Sequence, residues 1–195
     1  TVEEFADWQS KNETYWNKLY TATQQKIKSG DTSWKIILNY SYQNQKQTSG
    51  SALTYSPEDY IIAHVEQAGA GTTSPLYSDS VSMHYMGRLI PSTTYTSGLI
   101  FDKSWSNDTF NATTSRPAHS YLGLTYNAEG KSVSLVDGFT TALMSMHRGD
   151  HWTVYIPHQL GYGTSASGTV PAYSTLIFDL RLVDFSHPGT KLKDS

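Results

Sequence analysis

The chain has 195 residues, with 14 Lys+Arg against 17 Asp+Glu and a formal net charge of -3. That near balance offers no electrostatic footprint for a phosphate backbone and argues against nucleic-acid binding. No apolar run approaches the roughly 18 residues of a bilayer span, so no membrane span is expected. With charged residues at 16% and aromatics at 13%, the composition is that of a chain that folds. The length fits one medium domain or a small domain with an appendage. Cysteine is absent, which excludes disulfides, thiolate zinc sites and a cysteine nucleophile. The abundance of Ser, Thr, Asn, Gln and Tyr suggests an exported protein. No signal peptide opens the chain at Thr1, so an exported protein would be present here as its mature part.

In chain order, the first element is an amphipathic helix over about 3–29. Phe5, Trp8, Tyr15, Trp16, Leu19, Tyr20 and Ile27 follow helical spacing. Glu3 and Glu4 in the first turn and Lys26 and Lys28 in the last complement the helix dipole, and Gly30 stops it. The aromatic stripe docks on the main body or on a second copy, the former being the favoured reading. A strand is expected over about 34–42, then an exposed polar loop, QNQKQTSGS. Short strands follow: Tyr60 to Gln67, then one alternating through Val81, Met83, Tyr85, Gly87 and Leu89. Two more carry Trp152, Val154 and Ile156, and Leu176, Phe178, Leu180 and Leu182. Between them Phe139, Ala142, Leu143 and Met146 mark one short helix over about 137–147, stopped by Gly149. One helix against an antiparallel sheet is an α+β arrangement that leaves a concave end for a ligand.

Motifs for conventional catalysis are missing. The seven histidines are scattered, and Arg148-Gly149-Asp150 breaks the helix that would align His147 with His151, so no metal site is expected. That triplet is also an adhesion-type motif, but its place at a helix-to-strand turn explains it structurally. There is no GxSxG, SxxK or phosphate loop. The carboxylates show no spacing that supports paired-carboxylate hydrolysis.

Four segments stand out: VSMHYMGRL at 81–89, GLIFDKSW at 98–105, LVDGFTTALMSMHRGD at 135–150 and IPHQLGYGTSASGTVPAYSTLIFDLRLVDF at 156–185. Their order and spacing resemble the FK506-binding-protein (FKBP) family of peptidyl-prolyl cis-trans isomerases, over about Tyr60 to Phe185. The resemblance implies a twisted antiparallel β-sheet wrapped around one short α-helix, with an N-terminal helical extension. It divides the chain into an extension over 1–57, an isomerase domain over 58–187 and a tail over 188–195. The implied catalytic set is Tyr85, Phe101, Asp102, Tyr162 and Phe178, with Leu135, Val136, Phe139 and Val170 binding substrate and Phe139 as floor. No metal or cofactor is implied.

Several positions depart from the family pattern. Ala118 stands where a wall aromatic is expected, and Phe139 where the family usually has Trp. The His-Pro of the loop after Tyr162-Gly163 becomes Ala166-Ser167. The family's arginine partner for Asp102 has its nearest counterpart in Arg116. The resemblance implies an isomerase acting on proline-containing peptides and unfolded protein clients in a bacterial periplasm or cell envelope. It further implies a macrolide ligand and a homodimer through the N-terminal helix. Two alternatives stay open: a catalytically weak or inactive FKBP-like chaperone, and a carbohydrate- or surface-binding protein suggested by the abundant Tyr and Trp.

Overall fold

The computed structural model describes residues 2–45, 53–123, 125–190 and 192; most of the expected polar loop over 43–51 lies outside them. Helix α1 is Trp8–Lys28, followed by β1 (Trp34–Leu38), β2 (Tyr60–Gln67), β3 (Ser80–Arg88), β4 (Ile100–Lys103) and β5 (Ala118–Tyr121). A small hairpin, β6 (Thr125–Tyr126) and β7 (Ser132–Val133), precedes α2 (Asp137–Leu143), β8 (His151–Ile156) and β9 (Leu176–Ser186). Seven strands form one sheet in the order β1-β2-β8-β9-β3-β4, with β5 also on β3, and the pairings described are antiparallel. The α+β expectation of a sheet around one inner helix holds, with two α-helices among the described residues.

Helix α2 fills the sheet's concave face, its residues Gly138 to Leu143 all buried. Gly138 permits this contact, since a Cβ there would lie 2.4 Å from Cγ2 of Ile156. Phe139, Leu143 and Met146 meet Val154, Ile156, Phe178 and Leu180 in one core. The helix ends earlier than the expected 147. After Leu143 the Ser145 and Met146 N–H groups reach only three residues back, to Ala142 and Leu143, so the last turn tightens before Gly149 at φ 86°.

The N-terminal segment is built into the same body. Strand β1 pairs with β2 along its whole length, and Trp8 belongs to the main core. Trp8 Nε1 donates to Ser174 Oγ at 2.8 Å, and Thr175 N–H donates to Asn12 Oδ1 at 2.7 Å. Trp16 Nε1 donates to the Pro57 carbonyl at 3.0 Å. The aromatic stripe thus docks on its own chain, as favoured from the sequence.

Two boundaries differ from expectation. Helix α1 starts at Trp8 because Asp7 adopts φ 52° and Glu4 turns away to the 92–95 loop. Strand β1 stops at Leu38 because Asn39 is buried, its side chain bonding Asp137 Oδ2, while Tyr40 N–H donates to Thr141 Oγ1.

Strands β4 and β5 share one edge of β3: β5 pairs over Ser80 to Met83 and β4 over Met86 to Arg88. Tyr85 lies between them, held by Ser104 through two hydrogen bonds of 2.9 and 2.8 Å. The segment between β4 and β5 folds over the sheet's outer face, where Phe110 packs on His84 and under the Arg181 guanidinium. His84 and Ser82 are therefore buried although they alternate away from the core.

Candidate active site

The site lies where the N-terminal end of α2 meets β3, β4 and β9. Alternation on β3 turns Tyr85 inward beside Met83, and the β9 register sets Phe178 opposite Gly87. Gly87 is essential to this packing. A Cβ there would lie 2.5 Å from Phe101 Cζ and 2.8 Å from Phe178 Cε1, so only glycine lets both rings close over the strand. Phe139, in the first turn of α2, meets Phe178 edge-on at a centroid distance of 4.9 Å and Tyr85 at 5.7 Å. Such T-shaped contacts align ring edges with ring faces. These three rings surround a cavity of about 260 Å³.

Leu135 and Val136 bring the chain into α2 along one side of the cavity, with Tyr162 and Asp102 at the mouth. The Tyr85 hydroxyl donates to Asp102 Oδ2 at 3.0 Å. Burial, then the Asp102 charge, pushes the Tyr85 phenol up to about 12. The Tyr162 phenol is raised for the same two reasons in the same order. Both hydroxyls therefore stay protonated at neutral pH and act as hydrogen-bond donors. Arg116 is exposed and makes no ion pair with Asp102.

Of the residues singled out from the sequence, the structure gathers Tyr85, Asp102, Leu135, Val136, Phe139, Tyr162 and Phe178 around this one cavity. Phe101 stands beside it, edge-on to Tyr162 at 6.5 Å and Phe178 at 5.6 Å. Val170 is not brought to it: it is buried in the main core, closing a tight turn through paired bonds with Ser167. Sequence reasoning missed Met83, His119, Ser120 and Ser134, which complete the lining with Ala118. Inward alternation on β3 signalled Met83, and Ser134 directly precedes Leu135 in the lead-in to α2; His119 and Ser120 follow from the pairing of β5 with β3, which no local pattern announces.

The model describing FKBP-type peptidyl-prolyl cis-trans isomerases matches residues 71–183. The chain belongs to that family. It is 33% identical over 149 residues to the macrophage infectivity potentiator of Trypanosoma cruzi, covering 76% of this chain and 63% of the relative. It is also 33% identical over 120 residues to the peptidyl-prolyl cis-trans isomerase Mip of Coxiella burnetii, covering 61% of this chain and 42% of the relative. The chain thus spans less than two thirds of the length of either curated relative. A crystal structure of a peptidyl-prolyl cis-trans isomerase from Pseudomonas syringae aligns with a TM-score of 0.56 and 20% identity, covering 96% of this chain and 99% of that one. At that identity the likeness concerns the fold. Every residue that lines the cavity of this FKBP-type chain lies inside the matched region.

Proposed function

We propose that the chain is a peptidyl-prolyl cis-trans isomerase that accelerates rotation about Xaa-Pro bonds in protein clients. The observation that carries this reading is the aromatic cup of Tyr85, Phe139 and Phe178, with the Tyr162 phenol lining the same cavity. Amide resonance sets a rotation barrier of about 18–20 kcal/mol. Resonance also makes the planar amide the more polar state, so an apolar cup disfavours it relative to the twisted one, which is differential stabilisation. In this mechanism the prolyl ring sits on Phe139 against Phe178. The Tyr162 hydroxyl and the Val136 N–H, at the start of α2, donate to the carbonyls flanking the bond. The pathway needs no nucleophile or proton transfer. A protease-coupled assay on Xaa-Pro tetrapeptides tests it: Tyr162→Phe and Phe101→Ala each lower turnover, and unchanged rates in both contradict it.

A second reading, a catalytically weak or inactive FKBP-like chaperone, is favoured by Ala118, which leaves one cavity wall low. Refolding of a proline-limited substrate separates the two, because a pure chaperone changes yield without changing the slow rate. A macrolide ligand would occupy the same cup and compete with peptide. The division at 57/58 and 187/188 belongs to this proposal and is tested by limited proteolysis. A homodimer through α1 would have to use the face left by Trp8 and Trp16, which are committed to the chain's own core; light scattering at several concentrations decides it. A bacterial periplasm or cell envelope is the proposed site of action, supported by the relatedness to a Mip protein of Coxiella burnetii and tested by cell fractionation.

A further inference from the structure

We infer that the open edge of β5 binds the client chain beside its proline, as an added strand held through main-chain hydrogen bonds. This site rests on the reading of the cavity as the seat of the prolyl ring, and it places the residues next to that proline.

The direction of the backbone groups on β5 follows from one hydrogen bond. Leu122 N–H donates to the Asp79 carbonyl at 3.1 Å, in register with the pairs Tyr121–Ser80, Ser120–Val81, His119–Ser82 and Ala118–Met83. Bonded and unbonded pairs alternate along an antiparallel ladder. Leu122, Ser120 and Ala118 therefore turn their N–H and C=O groups toward β3, and Tyr121, between two of them, turns its own away. No strand lies on that side of β5 among the described residues. Tyr121 is 59% exposed, so the edge is open there. Its carbonyl accepts from the Ser120 hydroxyl at 3.1 Å, which leaves a second lone pair for a partner.

This edge begins at the prolyl cavity. Ala118, His119 and Ser120 line that cavity. His119 and Ser120 also line a second hollow of about 430 Å³, which Ser80, Tyr121 and Ser186 continue. Strand β5 is thus a ridge with open space on both sides. Ala118 keeps it low: the family pattern has an aromatic wall where this chain has a methyl group, so a client leaving the cavity meets no ring. Ala118 to Tyr121 is three steps of strand, about 10 Å at roughly 3.3 Å each. A client needs about three residues beside its proline to cover that distance, more than a proline-centred tetrapeptide carries on either side.

An extended polypeptide is the occupant that fits. Outward main-chain groups select main-chain partners. The second hollow is lined by serines, Thr190, His119, Tyr121 and Leu192, with no Lys, Arg, Asp or Glu, so no fixed charge selects an ionic ligand. At four residues the strand matches a brief client segment and is too short to template open-ended sheet stacking.

The test is a titration of the full ¹⁵N-labelled chain with Ala-Ala-Pro-Phe and with two decapeptides, which extend it by alternating Thr and Ala at the N-terminal or the C-terminal end. The Tyr121 amide resonance shifts saturably with one decapeptide, which binds about tenfold more tightly than the tetrapeptide, the net worth of one or two hydrogen bonds. N-methylation throughout the extension removes that gain. Tyr121→Pro deletes an N–H outside the ladder, a change that edge strands accept; it removes the gain and leaves tetrapeptide turnover unchanged. Turnover is read separately: a chain that binds the longer peptide more tightly but turns over neither loses the isomerase reading and keeps the edge site. Equal affinity for all three peptides, a gain that survives N-methylation, or the full gain in Tyr121→Pro overturns the inference.

Discussion

The Tyr85 hydroxyl and the Asp102 carboxylate are joined across two paired strands, donor to acceptor, at 3.0 Å. The bond ties the tyrosine of β3 to the carboxylate of β4 and holds the ring edge-on to Phe139 and Phe178. Tyr85→Phe is expected to cost about 0.5–1.5 kcal/mol of stability, the net worth of one such bond, and to lower turnover a few-fold. The folded phenol is raised to about 12 from 10.0, so its contribution is complete below pH 10 and is lost as pH climbs through 12. Chemical denaturation across that window should show the wild type losing stability more steeply than Tyr85→Phe.

Gly87 makes the cup possible without touching a ligand. Gly87→Ala forces Phe101 and Phe178 apart and should destabilise the chain by about 1–3 kcal/mol, the usual cost of overpacking. Turnover should fall by more than the stability loss explains, read as a drop in kcat/KM at a temperature where the variant is fully folded.

Asn12 reports on the docking of α1. Its side chain is 1% exposed and bridges the Trp8 carbonyl to Thr175 N–H. Asn12→Ala leaves that buried N–H unpaired and should cost about 1–3 kcal/mol in urea unfolding. A change within error would mean that the helix does not hold this contact.

Glu4 links the N-terminus to the loop after β3, accepting from the Ser92 hydroxyl and from the Thr94 hydroxyl and N–H. Those bonds, Ser92 first and Thr94 next, lower its carboxyl to about 2 from 4.5. A depressed carboxyl stabilises above its unfolded value, and that contribution is lost as pH falls from 4.5 through 2. Glu4→Gln should lower the Tm at neutral pH, and the two melting curves should converge as the pH approaches 2.

Much of this was readable from the chain itself. The alternation through Val81, Met83 and Tyr85, the helix seed Phe139-Ala142-Leu143 and Trp8 and Trp16 of the α1 stripe each mapped to the expected element, because their burial follows local periodicity. What escaped depended on long-range partners. Glu4 had the position of a helix-dipole carboxylate, but the 92–95 loop offered it four hydrogen-bond donors. Asn39 carried no mark of the buried contact with Asp137 that ends β1. Ser120 and His119 reach the cavity only because β5 lies on β3 beside β4, a pairing set by two separate stretches of chain. Val170 matched a family position and yet faces the core, since its turn closes on Ser167.

The most direct measurement is exchange NMR on an Xaa-Pro peptide mixed with a catalytic amount of the whole chain. It reads cis-trans interconversion with no coupling protease. Exchange should be rapid with the wild type and near-uncatalysed with Phe139→Ala, whose cup has lost its floor while Tyr162 and Asp102 remain. Exchange no faster with the wild type than without protein, or equally fast with Phe139→Ala, would contradict it.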